Sequence, residues 1–173
     1  MAAVAVGRRF VASAVLSIAV VVVAMGAVPA VAAPAGRQPK LATEVCEQMV
    51  RDAIEATING PLAGKQVGAW QGTTYTCTYP FGDGTLALRV QVLADKHAAK
   101  AAYGAVKKQS IIDQPFNGLG QAAFQAKDGT VVARKDRFVL TADPSQVPAR
   151  LNKTDLAFAA TVAVLSCWTG ESK

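Results

Sequence analysis

The stretch TYTCTYPFGDGTLALRVQVLAD, Thr74 to Asp95, decides what this chain folds around. Leu86, Leu88, Val90 and Val92 alternate with Thr85, Ala87, Arg89 and Gln91. Upstream, Tyr75, Cys77 and Tyr79 alternate with Thr74, Thr76 and Thr78. A period of two sends successive side chains to opposite faces of a strand. Between the runs, Pro80-Phe81-Gly82-Asp83-Gly84 supplies turn residues, including two glycines that reach positive φ without steric cost. The stretch predicts an antiparallel hairpin with one apolar face and one wet face.

Working outward, Thr43 offers an N-cap and Glu44 an acid in the first turn of a helix. Cys46, Met49, Val50, Ala53, Ile54 and Thr57 recur at steps of three and four, opposite Glu47, Gln48, Arg51, Asp52 and Glu55. This pattern predicts one amphipathic helix, ended by Asn59-Gly60-Pro61. Residues 62–72 hold three glycines around Val67 and Trp70, which suits a short strand or an irregular lead into the hairpin.

Beyond the hairpin, Asp95 caps a second helix running to about Lys108. Ala99, Ala102, Tyr103 and Val106 form its apolar side, and Lys96, Lys100, Lys107 and Lys108 its polar side. Residues 110–120 read as loop, with Pro115 and Gly118-Leu119-Gly120 as punctuation. Three short strands follow over 122–126, 130–134 and 137–142. Asp128-Gly129 signals a type I′ turn between the first two. A final helix runs from Thr154 or Asp155 to Trp168. Its 13 apolar or small residues are too few to cross a membrane, so it is expected as a buried core helix. The order α-β-β-α-β-β-β-α predicts the α+β class, an antiparallel sheet of about five strands packed with three helices. It is expected as a single domain over 43–170, preceded by a flexible lead over 33–42.

The N-terminus reads as an address. Arg8 and Arg9 precede an uncharged apolar run, Phe10 to Ala27, and Ala30-Val31-Ala32 has the small-x-small pattern of a signal-peptidase site. Residues 1–32 are expected to be a cleaved signal peptide. The alternative is an uncleaved N-terminal helix that anchors the chain, since a run of 18 residues sits at the lower limit for spanning a bilayer. Without Arg8 and Arg9 the chain keeps 16 Lys+Arg against 12 Asp+Glu, a net charge of +4. That mild excess suits an anionic surface as partner.

Of three cysteines, Cys46 lies on the apolar side of the first helix, and Cys77 shares a strand face with Tyr75 and Tyr79. An exported chain favours a disulfide. Three pairings exist and sequence does not choose among them. Cys46–Cys77 is the pairing expected if the helix covers the hairpin, stabilising by about 3–4 kcal/mol on the loop-entropy model. Cys167 is then a buried thiol in the last helix.

No constellation for catalysis is legible. The one histidine, His97, lies among lysines with no partner implied, which removes the base a serine or cysteine nucleophile needs. Asp83, Asp128, Asp136 and Asp143 occupy turn positions with structural roles. There is no Cys-x-x-Cys, histidine pair or acid ladder for a metal, and no cofactor-binding motif. One binding hypothesis remains. Lys107, Lys108, Lys127 and Arg137 form a patch for anionic lipid head groups or envelope polymer, if the fold brings them together. Nucleic acid is not the expected partner, because interleaved exposed aromatics are missing.

Cys46 in the first helix, Cys77-Thr78-Tyr79 in a strand, the alanine-rich helix, and Gly118-Leu119-Gly120-Gln121-Ala122-Ala123-Phe124 together resemble a loose group of actinobacterial exported domains and lipoproteins. The resemblance implies a compact α+β sandwich similar to the PsbP-type arrangement, with a disulfide between the first two cysteines. It carries no activity and no functional residues. This chain lacks the acylated cysteine of the lipoprotein members. The expected role is a secreted, non-catalytic binding or interaction module of the cell envelope. The alternative is a small-ligand or lipid carrier using a cavity between sheet and helices.

Overall fold

Residues 39–168 are described in a computed structural model of the chain. The expected signal peptide, most of the lead and the last five residues lie outside that range. The described residues belong to one compact unit, Ala32–Lys173. Its sheet begins with β1 (Val67–Gln71), which pairs with the first strand of the hairpin. The hairpin itself is β2 (Thr74–Pro80) and β3 (Thr85–Val92), paired so that the two apolar rows share one face. Cys77 lies opposite Leu88 and Tyr79 opposite Leu86. Cys77, Tyr79, Leu86, Leu88 and Val90 have no exposed surface.

The chain is α+β with an antiparallel sheet, as expected, but the sheet has seven strands rather than about five. The others are β4 (Ile112–Phe116), β5 (Ala122–Ala126), β6 (Val131–Lys135) and β7 (Phe138–Asp143), and the order is β1-β2-β3-β7-β6-β5-β4. Both additional strands are edges, where pattern is weakest. Pro115 and a register shift between Ile112 and Gln114 interrupt β4, features an edge tolerates because its outer backbone groups need no partner. In β1, Gly68 leaves room for the Tyr75 hydroxyl, which occupies the place a Cβ would take, and the Cys46 sulfur lies 3.0 Å from that point. The glycine that weakens the strand pattern is what lets ring and sulfur close over the strand.

The single first helix is a correction. Instead there are α1 (Lys40–Thr43), a 3-10 turn over Glu44–Cys46, and α2 (Gln48–Ile58), with Glu47 extended at ψ 157° between them. The Val45 carbonyl accepts the Tyr79 hydroxyl, and the Cys46 carbonyl accepts Gln66 Nε2. Those two acceptors serve β2 and the 62–66 loop rather than a continuing helix. Met49, expected on the apolar side, is 48 % exposed. The lead is also shorter than expected: Ala42 is fully buried, and the Leu41 carbonyl accepts the Trp168 indole at 2.9 Å.

The other two helices stand near their predicted limits. Asp95 caps α3 (Lys96–Gln109) through the Ala98 N–H, and Asn152 caps α4 (Lys153–Cys167) through the Thr154 and Asp155 N–H groups. One sheet face, carrying Cys77, Leu88 and Leu140, packs with Val50 and Ile54 of α2 and Ala160 and Val164 of α4. On the other face, Ala99 and Tyr103 of α3 pack with Phe124, Val132 and Val139. The β5–β6 turn differs from the expected type I′. Only Gly129 has positive φ, and Ala126 pairs with Thr130 across a three-residue loop, the type I turn plus bulge geometry.

Candidate functional site

The bridge expected between Cys46 and Cys77 forms, with Cα atoms 5.5 Å apart. It fixes the 3-10 turn to β2, and it is chemistry suited to an oxidising compartment. Cys167 is free and half-buried, its thiol directed at the Ala163 carbonyl at 3.4 Å. Burial, then the nearby Glu44 carboxylate, push its pKa up. A raised pKa keeps a thiol protonated and slow to react.

The charged side chains are sorted by the sheet. The α3 helix carries four lysines and no acid, whereas residues 44–58 carry Glu44, Glu47, Asp52 and Glu55 against Arg51 alone. These two segments pack on opposite sheet faces. The sorting follows from which sides are buried. Ala99 and Tyr103 turn inward, so the remaining sides of α3, with its lysines, meet solvent. An open hollow of about 600 Å³ runs along that side, lined by His97, Lys100, Ala101, Gly104, Ala105 and Lys108. His97 is exposed there.

The four cations expected to cluster divide between the two ends of α3. Lys107 and Lys108 are in its last turn. Lys127 joins them because its N–H donates to the Ile111 carbonyl at 2.9 Å. Arg137 is at the opposite end, where its carbonyl accepts the Leu93 N–H and its guanidinium lies 5.6 Å from the Phe138 ring centre. There Lys96 pairs with Asp136 at 3.1 Å. A helix of 14 residues spans about 20 Å, so the cations form a stripe rather than one spot.

Two features beyond the reach of the alternation lie at the surface. Ile111 is 70 % exposed, just past α3. Phe116 of β4 and Phe158 of α4 approach with ring centres 4.9 Å apart. Close by in sequence, Leu119, Val162 and Leu165 line a hollow of about 380 Å³ ending at Lys135. Both depend on β4, which reads as loop in the sequence, so nothing local told which of its side chains face out.

Elsewhere, Arg89 and Asp143 pair at 2.7 Å across β3 and β7. Burial opposes the Asp143 charge, but hydrogen bonds from Arg89 and Ser145 outweigh it and hold the carboxyl below its ordinary range. Among the described residues no group of three or more His, Cys, Asp or Glu side chains could hold a metal, and no helix is long and apolar enough to cross a membrane. Between the sheet and α2 and α4, Val50, Ile54, Tyr79, Leu86, Leu88 and Val164 are fully buried.

Fold and bridge together define a disulfide-stapled α+β protein with helices on both faces of an antiparallel sheet. Compared with family models, curated proteins and solved structures, the chain finds no match in any of the three.

Proposed function

We propose that this chain is an exported, non-catalytic interaction module of the cell envelope that docks on an anionic surface through the outer side of α3. The observation that carries the reading is the sorting of charge across the sheet: α3 has four lysines and no acid, Lys96 alone being ion-paired, with Asp136, against a net of three acids on residues 44–58. A protein charged this way is oriented as it approaches an anionic surface, with α3 leading. The carrier alternative has less support, because the side chains between the sheet and α2 and α4 fill the space a cargo would need.

The test is retention of the mature chain on isolated anionic envelope material. Reversal of Lys107, Lys108, Lys127 and Arg137 to Glu is expected to abolish retention, with the wild-type interaction weakening as salt rises. Lys40→Glu with Lys65→Glu, both exposed and on segments that pack on the sheet face opposite α3, is expected to leave it standing. Lys107→Glu with Lys108→Glu changes the net charge by the same amount as that control, and equal loss in these two double variants would show that only net charge matters and would sink the proposal.

A further inference from the structure

We propose that the anionic surface is a lipid leaflet, and that the corner where α3 ends enters it with Ile111 as the inserted side chain. This deepens the reading of the α3 face and rests on it. Ile111 is the most exposed of the large hydrophobic side chains among the described residues. The fold does not need an isoleucine there. Its neighbour Ile112, the first residue of β4, packs beside the α3 core, and residue 111, just before the strand, faces outward, where a polar residue would serve equally.

The surroundings of Ile111 are what select a leaflet. Lys107 and Lys108 precede it in the last turn of α3, and Lys127 is tied to it through the Ile111 carbonyl. All three lysines are exposed and have no ion-pair partner among the described residues. Gln109, Ser110, Ile111 and Lys127 also border a hollow of about 480 Å³ against the β5–β6 turn. Two acids share the corner, Asp113 on β4 and Asp128 in the turn, where an Asp128 oxygen accepts the Thr130 N–H. A soluble anionic polymer would meet the lysines but gain nothing from a bare isoleucine. A leaflet offers phosphates to the ammonium groups and hydrocarbon to the side chain between them, while the lysine stems lie along the interface.

The experiment is co-sedimentation of the mature chain with phosphatidylcholine vesicles, with and without phosphatidylglycerol, beside binding to soluble polyphosphate. The wild type is expected to bind only the vesicles containing phosphatidylglycerol. Ile111→Ser should lower vesicle partition about tenfold without changing its salt dependence. Lys107→Glu with Lys108→Glu should lower it on the order of 10²-fold. Ile111→Trp, which keeps an apolar group at the site, should bind at least as well as wild type and show a blue-shifted tryptophan emission on vesicles. Thermal midpoints of the Ile111 variants should match wild type, since the position is exposed, and the lysine reversals, in the last turn of α3, should lower the midpoint by only a few degrees. Unchanged partition for Ile111→Ser overturns the insertion. Binding to polyphosphate but not to vesicles overturns the lipid assignment and leaves the anionic-surface reading in place. Binding to neither overturns both.

Discussion

Opening the Cys46–Cys77 bridge should cost most of the stability this fold has to spare. The cysteines are 31 residues apart. On the chain-entropy model that closure removes about 12 cal/mol/K from the unfolded ensemble, about 3.7 kcal/mol at 25 °C. Domains have total stabilities of about 5–15 kcal/mol, so the loss is a large fraction of the whole. For a chain of this size it corresponds to a fall in midpoint of about 10–15 °C. The assay is urea denaturation of oxidised and reduced wild type, with Cys46→Ala/Cys77→Ala as a third sample. Cys77 is fully buried, so the double variant also loses a little packing, and the reduced wild type is the cleaner comparison. With a slope of about 2 kcal/mol/M, the urea midpoint should fall by about 2 M on reduction. A fall under about 0.5 M would refute the reasoning, because the clamp would then add nothing to contacts already made. Alkylation of unreduced protein should label one thiol, Cys167, slowly in the native state and quickly after unfolding. Labelling of all three would refute the pairing itself.

Two more outcomes follow from single contacts. Tyr79→Phe removes the hydroxyl that the Val45 carbonyl accepts, leaving a buried acceptor without its donor, and should cost about 1–3 kcal/mol in the same urea assay; an unchanged midpoint would mean that water replaces the hydroxyl. Asp143 has its folded pKa held below its ordinary value of 3.8, so its contribution is present above pH 3.8 and is lost as pH falls through the depressed folded value. Asp143→Asn should therefore flatten the acid limb of the stability–pH curve below that point, and an acid limb identical to wild type would remove Arg89 and Ser145 as the cause.

The candidate site was only half legible in the sequence. Lys107, Lys108 and Lys127 were visible as cations, and their meeting at one corner depends on a backbone bond from Lys127 to Ile111. Arg137 belonged to the same sequence cluster as Lys127, yet the β5–β6–β7 meander carries it to the far end of α3. Ile111 was missed because Pro115 and the bulge at Ile112–Gln114 hide the strand that turns it outward.

The sequence by itself determined the elements whose signals are local. Alternation through Leu86, Leu88 and Val90 set the hairpin faces. Asp95 began α3 within a residue of its reading, and the left-handed Asn59 ended α2. These depend on steric preferences and hydrogen bonds within a few residues of chain. Only the tertiary structure decided that β7 returns beside β3, that two edge strands extend the sheet, and that the helix breaks at Glu47. In each of those cases the deciding partners are remote in sequence. Tyr79 and Gln66 take the carbonyls of Val45 and Cys46, and β3 offers β7 an unpaired ladder, so the pattern of neighbouring residues carries no trace of the outcome.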